Sequence, residues 1–134
     1  MSVQFSWDNP ENTIVRYDFV GKWTWEELYE TFYQSWDEIA KLPYTVDSIS
    51  DFSRTSNAPP SVMTHVRKLS QNRPENTGIM VIVDANNFLS MMLQTFSKLL
   101  QSTLRRELNI QAVKTLAEAR ALLAQIQSER DKQE

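Results

Sequence analysis

A run of polar residues follows the predicted strand 46–53 and precedes the prolines Pro59 and Pro60. In α/β proteins the carboxyl ends of the strands flank the crevice in which ligands usually bind. Polar side chains at such an edge could hold an anion or the backbone of a partner. The same residue types also cap helices and satisfy turns, so a purely local role is the alternative. These residues are Ser53, Arg54, Thr55, Ser56 and Asn57.

Two carboxylates, Asp51 and Asp84, lie near the ends of predicted strands that could be neighbours. Such a pair can bind a divalent cation or transfer protons, and capping of loops and helices is the alternative role. Neither a nucleophile nor a third carboxylate is grouped with them, and the single histidine, His65, has no further ligand four residues away. His65 is expected to be a surface or half-buried helix residue. We therefore assign no catalytic residue, metal ligand or cofactor, and we predict that the protein is not an enzyme.

The elements that must position these residues begin with a hairpin. Residues 3–7 and 13–20 alternate between the two faces of a strand, and a turn-forming segment joins them. Thr24 and Glu27 form a capping box at the start of a helix with an aromatic stripe, which ends before Pro43. A second helix is predicted to begin at the two prolines.

The segment 78–84 is apolar and rich in β-branched side chains up to its last residue, Asp84, which is typical of a strand covered on both faces. A long helix over 88–108, a short strand over 110–114 and a second capped helix follow. The order β-β-α-β-α-β-α-β-α predicts a single-domain α/β fold. We expect a mixed, mostly parallel sheet of about five strands with an N-terminal hairpin and four helices. The domain is predicted to span residues 1–127, with residues 128–134 as a polar tail.

Composition limits the function classes. The 134 residues, 41% of them hydrophobic, suffice for one domain with a substantial core. With a net charge of −3, the chain lacks the positive electrostatic field that nucleic-acid binding needs. The absence of cysteine excludes disulfides and thiol chemistry. Only two glycines are present, so no glycine-rich phosphate loop exists. Without a signal-like or membrane-spanning segment, the sequence predicts a soluble cytoplasmic protein.

Two apolar helix faces suggest binding surfaces. The aromatic stripe between Trp25 and Trp36 could wall a pocket for an apolar ligand, although aromatic side chains at helical spacing usually form core. The predicted helix 88–108 carries more large apolar residues than one sheet face covers, and Met91 lies beside Met92. Met91, Met92 and Thr95 are the candidate face of a homodimer, and a wide core face is the alternative.

The element order, the strand 48–53 and the closing segment 112–123 together resemble a STAS-type domain. This family comprises bacterial anti-sigma-factor antagonists and cytoplasmic domains of sulfate transporters, and small stand-alone bacterial proteins are the most similar subset. The resemblance, over residues 3–126, implies partner switching, in which a kinase phosphorylates a serine at the start of the helix after the third strand. The family motif reads roughly Asp-Ser-Ser-Gly, and Pro59-Pro60-Ser61-Val62 occupies its place. Ser61 is the nearest match to the acceptor, without the aspartate and the glycine of the motif.

The leading hypothesis is a non-enzymatic regulatory or interaction module that docks a protein partner through the loop and helix start after the third strand. This surface comprises the polar residues named above together with Ser61 and Met63. The alternative is a binder of a small apolar or lipid-like ligand between the aromatic helix and the sheet. A small enzyme using Asp51 and Asp84 is the least favoured of the three.

Overall fold

The computed structural model describes residues 2–55, 59–84 and 109–133, without the side chains of residues 62 and 63. One sheet contains the strands β1 (Val3–Trp7), β2 (Ile14–Val20), β3 (Val46–Arg54), β4 (Thr77–Val83) and β5 (Ile110–Val113). The described helices are α1 (Trp25–Ile39), α2 (Val62–Asn72) and α3 (Leu116–Lys132). The predicted helix 88–108 lies outside the described residues, so three of the four predicted helices are seen.

The strands follow one another across the sheet in the order β1-β2-β3-β4-β5. β1 pairs antiparallel with β2, with Val3 opposite Phe19 and Trp7 opposite Val15, whereas every other neighbouring pair is parallel. The prediction of a five-stranded, mostly parallel sheet that opens with a hairpin is therefore confirmed.

Hydroxyl caps begin α1 and α3 at the predicted residues. The Thr24 hydroxyl accepts a hydrogen bond from the Glu27 N–H at 3.2 Å, and the Thr115 hydroxyl accepts one from the Glu118 N–H at 3.1 Å. These bonds satisfy amide groups that have no partner within the first helical turn. None of the helices in the described ranges has the length and apolar content that a membrane crossing requires.

β4 is an interior strand, flanked by β3 and β5. Its residues Ile79, Val81 and Val83 are buried in a core cluster with Ala119 and Leu123 of α3. Met80 and Ile82 alternate with them and face the opposite side of the sheet, where α1 packs. The predicted burial of this apolar run in the centre of the sheet is confirmed.

A buried carboxylate ties α3 to the sheet. Asp47, at the start of β3, is fully buried. Its two oxygens accept from Arg130 Nη1 and Nη2 at 3.1 Å each, from Gln127 Nε2 at 2.8 Å and from the Ile79 N–H at 3.0 Å. A Cβ at Gly78 would overlap Oδ1 of Asp47, so this position requires glycine. α3 runs to Lys132, and Arg130 in its last turn binds Asp47, whereas the domain boundary at residue 127 stays a prediction.

Candidate functional site

An apolar cavity of about 150 Å³ lies between α1, α2 and one face of the sheet. The described lining is dominated by aliphatic and aromatic side chains, and Arg73 is its one charged residue. Arg73 is not a free charge, because it already interacts with another group of the protein. The aromatic residues that line the cavity are Tyr17, Phe19, Trp23, Trp25, Phe32, Trp36 and Phe52.

The wall formed by α1 comes from a helical stripe. Leu28, Phe32 and Ile39 are buried against the sheet. The Phe32 ring stacks on Tyr17 with centroids 4.0 Å apart, and the Tyr17 hydroxyl lies 2.5 Å from the Ser35 hydroxyl. Burial raises the pKa of Tyr17 above its ordinary value, although the hydrogen bond with Ser35 acts in the opposite direction. Tyr17 is therefore a neutral, oriented part of the wall.

The sheet side of the cavity, which we call its floor, includes β3. Two of the β3 residues there are serines, and their small side chains leave space. Ser48, Ser50 and Phe52 are alternate residues of β3, so all three face α1 and line the cavity. Ser50 is opposite Tyr17 on one neighbouring strand and Ile82 on the other. Serines at positions where β-branched aliphatic residues would normally fill a core leave room beneath the aromatic helix.

Two residues that line this cavity each have a buried polar atom without a hydrogen-bond partner in the described structure. Among the side chains that the structure describes, only Trp23 Nε1 and Ser50 Oγ are both inaccessible and unpaired. Trp23 is 5% exposed and Ser50 is 2% exposed. Buried polar groups are nearly always paired, so two exceptions in residues that line one cavity require an explanation.

An aromatic cluster joins α1 to α2 beside the cavity. The Trp25 ring stacks on His65 at 4.4 Å, and its Nε1–H donates to the Pro60 carbonyl at 2.7 Å. The Tyr29 hydroxyl lies 2.6 Å from Nδ1 of His65, and Lys68 Nζ lies 5.0 Å from the centre of the Tyr29 ring. His65 is half-buried, as predicted, and serves here as a packing and hydrogen-bonding residue.

The predicted docking loop after β3 is held by local contacts where it is described. The Ser53 N–H and hydroxyl both donate to Oδ1 of Asp51, at 2.9 and 2.6 Å. Arg54 pairs with Asp18 at 3.0 Å, and the Thr55 hydroxyl donates to the Gly21 carbonyl at 2.5 Å. For Ser53 and Thr55, such hydrogen bonds to nearby groups are what a purely local role in the turn would produce. Ser53 and Arg54 are exposed, whereas Thr55 is buried.

Ser61 lies directly before α2 with a left-handed backbone, at φ 67° and ψ 36°. Its side chain is exposed and makes no capping hydrogen bond to the helix. A non-glycine residue in this conformation is strained. Ser56 and Asn57 lie outside the described residues, as do the side chain of Met63 and the candidate dimer face at Met91, Met92 and Thr95.

The two strand-end aspartates are close in the sheet, as predicted. Asp51 pairs in register with Val83, which places Asp84 one residue further along the adjacent strand. Both are buried, and Oδ1 of Asp51 is engaged by Ser53. In the described ranges no group of three or more histidine or carboxylate residues could hold a metal ion.

A second concavity, polar and larger at about 660 Å³, lies beside the start of β3 and the end of α3. Three of its polar side chains already have hydrogen-bond partners in the fold. Asn76 Nδ2 donates to the carbonyls of Ile39 and Tyr44, and Gln127 and Arg130 bind Asp47. The residues with unpaired polar atoms line the apolar cavity, which is therefore the candidate site.

Comparisons of this chain with protein-family models, with curated proteins and with solved structures found no match. The site is therefore interpreted from its own geometry.

Proposed function

We propose that this protein binds a small apolar ligand in the cavity between α1, α2 and the sheet. The cavity itself is the observation that supports this function. Apolar cavities of about this volume admit molecules the size of benzene. A ligand that fills this space gains packing contacts with the apolar lining.

Cavity filling tests this proposal directly. Ser48→Leu projects a larger apolar side chain from the floor, and Ser6→Leu makes the same change at an exposed position of β1. We expect cumene to raise the melting temperature of the wild type and of Ser6→Leu in a concentration-dependent manner. Ser48→Leu should show a much smaller shift, because its own side chain occupies the space. Equal shifts in all three proteins, or none in the wild type, would contradict the proposal.

A second proposal is docking of a protein partner at the start of α2. It is supported by Ser61, whose hydroxyl is exposed and unused by the helix and whose backbone is strained. A phosphate there would lie near a helix N-terminus, where negative charge is favoured. In a kinase-containing lysate with labelled ATP, this proposal expects label on the wild type and not on Ser61→Ala. Equal labelling of both proteins would exclude Ser61 as the acceptor.

Membership of the STAS-type family is a proposal of the same kind. It is supported by the opening hairpin, the mostly parallel sheet and the helix that follows the last strand. Among the described residues, no group of three or more histidine or carboxylate side chains includes Asp51 or Asp84, which supports the binding module that we propose in preference to an enzyme.

A further inference from the structure

We infer that two copies of this chain associate through the outer surface of α1 and α2, with the acidic side of α1 in each copy facing the basic side of α2 in the other. This inference goes beyond the proposed function and does not depend on ligand binding. The surface, which we call the charged seam, comprises Tyr29, Tyr33, Glu30, Asp37, Arg67 and Lys68.

α1 and α2 carry opposite charges although they are neighbours. α1 contains no basic residue, whereas the segment 62–73, which covers α2 and the residue after it, contains no acidic residue. The whole chain has a net charge of only −3, so the two signs are clearly separated at this surface. The acidic residues of α1 are Glu26, Glu27, Glu30, Asp37 and Glu38, and the basic residues of the second segment are Arg67, Lys68 and Arg73.

A partly exposed aromatic stripe lies between the two charged sides. The rings of Tyr29 and Tyr33 stack with their centres 5.8 Å apart, and Tyr33 meets the edge of Trp36 at 5.5 Å. Tyr33 is 38% exposed, which makes it one of the most exposed large hydrophobic side chains in the described ranges. Tyrosine is enriched in protein interfaces because it combines apolar area with a polar tip.

The contacts of the stripe fix the positions of the charges beside it. Nζ of Lys68 lies 5.0 Å from the centre of the Tyr29 ring, so the basic side begins at Tyr29. Glu30 and Asp37 are three residues before and four residues after Tyr33, which places them about 40–60° further round α1, away from α2. Lys68, Glu30 and Asp37 are all exposed. The order across the surface is therefore basic, aromatic and acidic.

A second copy is the partner that this order of charges fits. A twofold interface between identical chains must be self-complementary, and a contact between two different residues then occurs twice. An axis through Tyr33 places Lys68 of each copy against Glu30 of the other, with the tyrosines between them. The ion pairs seen among the described residues use arginines of β2, β3 and α3, so they leave these charges for a partner.

Charge reversal tests this arrangement by sedimentation equilibrium. With about 1 mM protein in about 0.01 M salt, the wild type should reach the mass of two chains, and about 1 M salt should weaken association by screening the charges. Glu30→Lys and Lys68→Glu should each weaken it by about 10-fold or more, because each reverses two contacts. An equimolar mixture of the two variants should recover dimers, since each contact between unlike chains again joins opposite charges.

Matched variants on other elements control for net charge and for exposed aromatic area. Glu11→Lys and Lys132→Glu make the same charge changes at exposed positions, and neither should change the dissociation constant by more than about 2-fold. Mixing these two controls should produce no gain in dimers. Tyr33→Ala should weaken association, whereas Tyr44→Ala, at a residue that is 37% exposed, should leave it unchanged. Circular dichroism checks that each variant is folded.

Three outcomes would overturn the inference. The first is a wild type that stays monomeric under these conditions. The second is association that the two seam variants leave unchanged or that their mixture fails to recover, since Glu30 would then not face Lys68. The third is a mass that keeps growing beyond two chains, because a head-to-tail contact and not a twofold one would produce it. None of these results bears on ligand binding in the cavity.

Discussion

The two faces of the sheet are packed in opposite ways. On the face covered by α3, Ile49 and Leu123 are fully buried and the Asp47 carboxylate has four hydrogen bonds. On the face covered by α1, Ser50 is also buried and lines a cavity, but its hydroxyl has no hydrogen-bond partner in the described structure. Ile49 and Ser50 are consecutive residues, so one strand presents both environments.

This difference suggests a division of roles within one small domain. Filled space and satisfied polar groups on the α3 face stabilise the fold, and the α1 face can therefore keep an opening and two unpaired atoms. Where one region of a domain is incompletely packed, stabilising contacts elsewhere in the domain must offset the lost free energy. Substitutions on the two faces should consequently have effects of different size, and even of different sign.

The largest effect is expected at the buried ion pair of the α3 face. Asp47→Ala removes the buried carboxylate that Arg130, Gln127 and the Ile79 N–H all bind, and we expect the free energy of unfolding to fall by about 3–5 kcal/mol. Urea unfolding measures this loss. Asp131→Ala, at an exposed neighbour of Arg130, should change stability by less than about 0.5 kcal/mol. A small effect of Asp47→Ala would show that the α3 face is not the stabilising one.

Alkaline pH should lower the free energy of unfolding through Tyr17, which is buried on the α1 face. Burial disfavours the phenolate and therefore raises the pKa of Tyr17 in the fold above 10.0, the ordinary value for tyrosine. The unfolded chain therefore loses this proton first, and stability that is complete below pH 10 falls as the pH rises further. We expect a loss of about 1.4 kcal/mol per pH unit above that point.

Urea unfolding between pH 9 and 11 tests the contribution of Tyr17. Tyr17→Phe should remove this part of the pH dependence, whereas Tyr44→Phe, which alters an exposed tyrosine, should preserve it. Identical slopes in the wild type and Tyr17→Phe would argue against the buried phenol as the cause.

The smallest effect, and the one with the opposite sign, is expected at Ser50. Ser50→Ala removes a buried hydroxyl that has no partner in the described structure, so we expect stability to rise by up to about 1 kcal/mol. Ser35→Ala makes the same change where the hydroxyl contacts Tyr17 and donates to the Phe32 carbonyl. That variant should lose about 1 kcal/mol. Equal losses in both variants would remove the distinction between a paired and an unpaired serine.

Local patterns in the sequence were sufficient for most elements of the fold. The alternation in β1 and β2 predicted the hairpin, because a half-buried strand repeats every two residues. The threonines at 24 and 115 predicted two helix starts, since a hydroxyl cap acts within one turn. The apolar run 78–84 predicted an interior strand because only a strand with both faces covered is apolar throughout.

Strand order, the cavity and the ion pair depended on the tertiary structure. Asp47 and Arg130 are 83 residues apart, and no local pattern links them. Ser50 was visible as an alternating strand residue, but its surroundings depend on its neighbours in other strands, Tyr17 of β2 and Ile82 of β4. Periodicity in the sequence predicts which face of an element a side chain lies on, but it does not predict which side chains of other elements contact it. The sequence therefore determined the helices and strands, whereas packing between them determined the site.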